Sequence, residues 1–496
     1  MSISLRSPLN SALLFQKNKS HVIEYKLRIN LHPHRAQHKL SFLISLEYSV
    51  PFYIESKKII KLSIPLFIAQ FAQVAMGFVD TIMASGVSAT DMAAVAIASS
   101  IWLPCILFGV GVLMAIVPLA AQAHGANDLT IIPKIGQQGL YLSLLLSIPI
   151  AIILFNAGML MIIMDIEALL ATITIQYLTA MIFAIPAFLI FQALRNYIEG
   201  LSLTKPAMVI GFLGLLLNIP LNWIFVYGKF GMPALGGAGC GVATAIVYWV
   251  MTIVLALYVL YTKKLAQTPL FKQFTSPDFA YLMRMTKLGI PVAIAIFFEV
   301  TIFAAVAILV APLGANIVAS HQIAINFSSL IFMLPMSIAN AVSIRVGFNL
   351  GKKDNFGAKQ ASYAGLSIGL GLSMITAIFT VVFKEQIALL YSDNPDVVSL
   401  AITLILLSAI YQCVDAIQVV AAGALRGYKE MTAIFTRTFI SYWIVGLPLG
   451  YLLAMTDFIT SPMGAKGFWI GITVGLTTAA VLLGKKLYSI QHNQFA

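Results

Sequence analysis

Residues 61–128 read KLSIPLFIAQFAQVAMGFVDTIMASGVSATDMAAVAIASSIWLPCILFGVGVLMAIVPLAAQAHGAND, and residues 287–354 read KLGIPVAIAIFFEVTIFAAVAILVAPLGANIVASHQIAINFSSLIFMLPMSIANAVSIRVGFNLGKKD. Laid over each other at a constant offset of 226, without a gap, they are identical at sixteen of 68 positions. The identities include Lys61/Lys287, Ile64/Ile290, Pro65/Pro291, Gly125/Gly351 and Asp128/Asp354. Shared apolar composition gives matches inside the blocks, but not matched glycines and aspartates in the polar segments that end them. A second echo sets Ala193-Leu194-Arg195-Asn196-Tyr197 against Ala424-Leu425-Arg426-Gly427-Tyr428. The chain is an internal duplication.

Each copy consists of apolar runs of the roughly 20 residues that cross a ~30 Å hydrocarbon layer as helix, and such runs recur from Leu62 to Leu487. Of 496 residues, 60% are apolar and 10% charged, with a mean hydropathy of +0.94. A soluble domain carries about a quarter charged residues, so no sizeable soluble domain is expected. A β-barrel would show alternating segments of about ten residues, and these blocks are continuous. Gly, Pro and charge punctuation predicts twelve helices, over 62–84, 92–120, 136–157, 168–192, 207–228, 238–262, 286–311, 316–345, 360–383, 397–424, 433–455 and 467–484. The fold class expected is an all-α integral membrane protein: two six-helix lobes related by a pseudo-twofold axis along the membrane normal, because an even number of helices per half returns the chain to its starting side.

With the amino terminus inside, the predicted inner segments from Lys57 onward hold twenty Lys and Arg residues, and the outer segments only Lys229, Lys384 and Lys466. That bias matches the positive-inside rule and places both termini on the cytoplasmic side. It also accounts for the formal charge of +12, so no nucleic-acid partner is expected. The domain reading is a basic, disordered tail over 1–56, or the product of an upstream start; a first lobe over 57–262; a cytoplasmic linker over 263–285; and a second lobe with a short cytoplasmic end over 286–496. The tail lacks the apolar core and cleavage site of a signal peptide. Cys105, Cys240 and Cys413 show no paired spacing, which indicates neither disulfide nor metal site.

Only three acids fall well inside predicted spans: Asp80, Glu299 and Asp415. A mid-membrane carboxylate costs about 2.5–3.5 kcal/mol or more, so it is expected to face a cavity and to have a function. The competing reading is a silent, hydrogen-bonded structural group. No Lys or Arg is expected at the same depth, an arrangement that favours protons, Na⁺ or organic cations. The repeat adds an asymmetry, since Gln73 holds the register of Glu299 and Val306 that of Asp80. Asn218 and Asn222, four residues apart beside Pro220, could complete a polar site with Asp80 or act as amide glue between helices. Gln73, His321 and Gln322 are, with the two asparagines, further candidates for a substrate pathway, although a lone membrane histidine is more often a packed group. No Walker loop, HExxH, GxSxG or dinucleotide fingerprint stands in a suitable setting, so the chain is read as no enzyme, without a cofactor, driven by an ion gradient.

Gly77-Phe78-Val79-Asp80-Thr81, Phe297-Phe298-Glu299-Val300, Ala319-Ser320-His321-Gln322, Asp415-Ala416-Ile417-Gln418 and the cluster Gly236-Gly237-Ala238-Gly239 together resemble the multidrug and toxic compound extrusion family, in its NorM-like bacterial branch. The likeness runs from Lys58 to about Lys486. It implies two lobes around a V-shaped cleft and alternating access, with cationic or amphipathic compounds exported against Na⁺ or H⁺. It also implies a cation site at Asp80, Glu299 and Asp415, with Asn218 and Asn222 near the first. The partners expected are small-molecule substrates and the bilayer, with the chain acting as a monomer. The alternative is a flippase of a lipid-linked precursor, which shares the two-lobe architecture but is expected to carry cations inside its cavity.

Overall fold

The computed structural model describes residues 33–272 and 274–493, the side chains of 33–50 excepted. Twelve helices among these residues are long and apolar enough to cross a membrane: α1 (Pro51–Ser85), α2 (Ala89–Gly125), α3 (Ile131–Ile163), α4 (Ala168–Gly200), α5 (Lys205–Tyr227), α6 (Gly237–Tyr261), α7 (Phe279–Leu313), α8 (Ala315–Gly351), α9 (Asn355–Leu389), α10 (Pro395–Gly427), α11 (Met431–Met455) and α12 (Ala465–Asn493). Each matches one expected span. Most of the larger differences lie at the ends where Lys and Arg cluster, hereafter the basic face. There α1 starts at Pro51 and α4 runs on to Gly200. These extensions carry polar residues, so hydropathy alone cuts them off, although the backbone hydrogen bonds continue.

The expected tail is shortened accordingly. Residues 51–56 are helical, and Glu55 is buried rather than part of a solvated segment. Residues 33–50 are helical within a unit of their own, and residues 1–32 lie outside the described residues. The linker is shorter too, ending where Asp278 caps α7 by accepting from the Tyr281 backbone N–H. It is fastened to α3: Gln137 donates to the Leu270 carbonyl at 2.7 Å, and Lys134 pairs with Asp278 at 2.7 Å. That lysine, together with two backbone N–H donors, holds the Asp278 carboxyl below the usual carboxylate range.

Small residues set how the lobes meet. A Cβ on Gly125 would collide with the carbonyl of Phe348, and one on Gly351 with the carbonyl of Gln122. The glycine pair matched in the repeat is thus the symmetric crossing of α2 and α8. Farther along, Gly111 packs on Ala293 and Gly289 on Val112, joining α2 to α7. Polar contacts between lobes lie at the same end: Gln122 donates to the Gly427 carbonyl at 3.0 Å, and Arg345 makes a two-pronged pair with Glu55 at 2.7 and 2.8 Å. Among the described residues, no hydrogen bond or ion pair joins the lobes in their opposite halves. The bundle is closed at the basic face.

Two helices depart from the regular α pattern for identifiable reasons. In α2 the regular pattern breaks at Met114 and Ala115, where the ring of Pro118 meets the carbonyl four residues back. In α11 a π-helical stretch, Ile440–Gly446, precedes Pro448.

Candidate functional site

Asp80 lies near the outer end of α1 and is 3% exposed, which would be prohibitive for a carboxylate without partners. Its partners come from α5 and α6. Oδ1 accepts from Asn218 Nδ2 at 3.1 Å and from Asn222 Nδ2 at 2.6 Å, and Oδ2 accepts from Thr244 Oγ1 at 2.8 Å. The four-residue spacing of the asparagines puts both on one face of α5, and Asn222 also donates to Asn218 Oδ1 at 3.0 Å. Every group aimed at the carboxyl is a donor, an arrangement made for a carboxylate. One acceptor in the cluster, Asn222 Oδ1, is buried without a partner. The second helix turn of α6, just after the glycine cluster, supplies Thr244, which sequence reading missed because a lone hydroxyl in an apolar span does not reveal which way it faces.

The second cluster forms in the other lobe from α7 and α10. Asp415 is 6% exposed and borders a cavity of about 10 Å³, near the space of one water, together with Tyr411, Gln412, Ser373 and Thr376. Gln412 donates to Thr380 at 3.2 Å, leaving its own Oε1 buried and unpartnered. Glu299 is half-buried, close enough to Asp415 for the two charges to interact. The residue before it, Phe298, is fixed by α11: the π-helical turn presents Trp443, whose Nε1 donates to the Phe298 carbonyl at 3.3 Å. Asp80 thus occupies one lobe and the Glu299–Asp415 pair the other.

Among the described residues three further acids are buried, and each is spoken for. Glu55 pairs with Arg345, Glu199 with Arg195 at 2.6 Å, and Asp91 accepts from the Gly237 backbone N–H at 2.6 Å. Asp80, Glu299 and Asp415 have no direct ion pair among the described residues, and Asp91, which has none either, is committed to the start of α6 and to Ser88 at the start of α2.

The expectation that no Lys or Arg reaches this depth is corrected. Arg195 and Arg426 are each 6% exposed. Both sit at the C-terminal ends of their helices, α4 and α10, and helical side chains lean toward the N-terminus, here into the membrane. Arg195 Nη1 donates to Gln73 Oε1 at 3.1 Å, so Gln73 belongs to this pair and not to the Asp80 cluster. Arg426 lies within electrostatic reach of Glu299. His321 is fully buried between α8 and α12, its Nδ1 accepting from Trp469 Nε1 at 3.0 Å, and Gln322 donates to Asn326 at 3.2 Å on an exposed face. Neither joins the acids.

The MatE family model matches residues 65–224 and again residues 291–452, one match in each half and with the same offset of 226 between their starts. The chain belongs to the MatE family. Among MatE relatives, the multidrug resistance protein NorM of Aliivibrio fischeri is 61% identical over 439 residues, covering 88% of this chain and 95% of its own. NorM of Vibrio cholerae is 61% identical over 438 residues, covering 88% and 96%. The multidrug resistance protein MdtK of Yersinia pseudotuberculosis is 52% identical over 441 residues, covering 89% and 96%. A solved multidrug resistance MATE transporter in an outward-facing conformation superposes with a TM-score of 0.80 at 21% identity, over 89% of this chain and 96% of that one. At that identity the likeness shows the MatE fold alone.

Proposed function

We propose that this chain is a secondary active multidrug efflux transporter of a bacterial inner membrane, exchanging cationic or amphipathic compounds for Na⁺ or H⁺ by alternating access. The observation that carries this reading is the placement of carboxylates without direct ion pairs in both lobes of a bundle closed at one face. Asp80 offers a carboxylate already surrounded by donors, with a spare amide acceptor beside it. Glu299 and Asp415 offer two acids that repel one another unless a proton or a cation lies between them. Loading either centre changes the charge of its lobe, and that change can be linked to which face is open. The family and the names of its relatives support export of drugs over movement of a lipid-linked precursor.

The test is ethidium efflux from proteoliposomes with Na⁺ and pH gradients imposed one at a time. One gradient should drive ethidium against its own concentration difference, and removing that gradient should stop it. Ethidium movement indifferent to both gradients would exclude antiport.

A further inference from the structure

Arg195 and Arg426 hold the same place in the two halves, yet their side chains are bound differently. Arg195 is satisfied inside its own lobe, with Nε on Glu199 and Nη1 on Gln73. The second half keeps the arginine and changes both partners. The counterpart of Glu199 is Glu430, 231 positions on, which lies past the end of α10 and pairs with Lys486 at 3.2 Å. The counterpart of Gln73 is Glu299, 226 positions on. Among the described residues no ion pair joins Arg426 to it.

Instead, Arg426 Nη2 donates to Asn340 Oδ1 at 3.1 Å and Nη1 points to Met114 Sδ at 3.8 Å, while the buried Nε has no partner. Met114 and Asn340 are themselves 226 apart, one in each lobe, so the guanidinium bridges two symmetry-related positions. A thioether is a weak acceptor, and a buried guanidinium with one amide oxygen, one sulfur and a spare donor is poorly satisfied. One nearby carboxylate would satisfy it. Arg195 on Gln73 shows that an arginine at this position reaches that residue.

We propose that Arg426 is a built-in competitor for the cation at Glu299, with two resting places: parked on Met114 and Asn340, or docked on Glu299. The parked place uses one residue from each lobe and exists only while α2 and α8 are apposed. A cation on Glu299 excludes docking and so favours the closed basic face; separation of the lobes frees Arg426 to dock and expel the cation. By linkage, the two effects are one coupling seen from either end. The inference rests on the reading of Glu299 as a cation site and assigns it a resident counter-charge.

Ethidium binding to the purified full-length protein, followed by fluorescence anisotropy, tests it. Arg426→Gln should tighten binding about tenfold, in the range of one partly screened charge contact, and should change nothing further in a Glu299→Gln background. The double variant Met114→Leu/Asn340→Leu, which removes the parking place and keeps the arginine, should weaken binding. Arg426→Lys, which retains a cation, should bind close to wild type. Unchanged or weaker binding by a well-folded Arg426→Gln, with Glu299→Gln still defective, would overturn the competitor and leave the cation site standing. If Arg426→Gln fails to fold, the parking variant decides alone, and unchanged or tighter binding by it overturns the proposal. Normal binding by Glu299→Gln itself sinks both readings together.

Discussion

Glu299→Gln and Asp80→Asn should each lower gradient-driven efflux by roughly 5- to 150-fold while leaving the proteins folded, because coupling between two sites typically amounts to ~1–3 kcal/mol. The two positions give the prediction different strengths. At Glu299 an amide is sterically acceptable, since Gln73 occupies the equivalent register in the other half. Loss of charge is then the simplest cause of failure. At Asp80 the carboxyl accepts three hydrogen bonds. An amide keeps one acceptor oxygen and turns an N–H₂ toward donors, so one contact costs ~1–3 kcal/mol of local stability in addition to the lost charge. Efflux rates in proteoliposomes, normalised to correctly inserted protein, measure the effect. Asp396→Asn, on the exposed first turn of α10, serves as the control and should leave the rate unchanged. Amide variants that pump at the wild-type rate would make the acids structural.

Glu55→Gln should open the basic face. Its carboxylate holds both Nε and Nη2 of Arg345 across the lobes, and the pair is almost fully buried. Breaking such a pair by removing one partner costs ~3–5 kcal/mol, because the other charge stays buried. In a protein that alternates between two states, that cost falls only on the state in which the pair is made. The equilibrium should therefore move by roughly two to three orders of magnitude toward the state open at this face. A cysteine placed at Gln122, in the α2–α8 crossing, should react with a membrane-impermeant maleimide from the basic side far faster in Glu55→Gln than in its parent. A lower melting temperature with no change in labelling would mean that the pair holds the fold and not the state.

Hydropathy and charge made the twelve helices, the two halves and the asymmetry between Glu299 and Gln73 legible in the sequence. The asparagines of α5 were legible as an i, i+4 amide pair on one helix face, open between a site with Asp80 and glue between helices, and both bond to Asp80. What escaped depends on direction in three dimensions. Arg195 and Arg426 read as basic-face residues because hydropathy counts where a Cα lies and not where a ~6 Å side chain leans. Thr244 escaped because hydroxyls are cheap in a membrane helix, where they can return a hydrogen bond to their own backbone, as Thr174 does to the Leu170 carbonyl. Glu55 was assigned to a solvated tail because its partner, Arg345, is 290 residues away.

If Asp80, Glu299 and Asp415 exchange one cation for another, the fluxes of ethidium and of the coupling ion must be reciprocal. Purified protein in vesicles, given an ethidium gradient and no ion gradient, should drive Na⁺ or protons in the opposite direction, and Glu299→Gln should abolish that ion movement. Ethidium crossing the membrane at full rate with no counter-movement of either ion would contradict it.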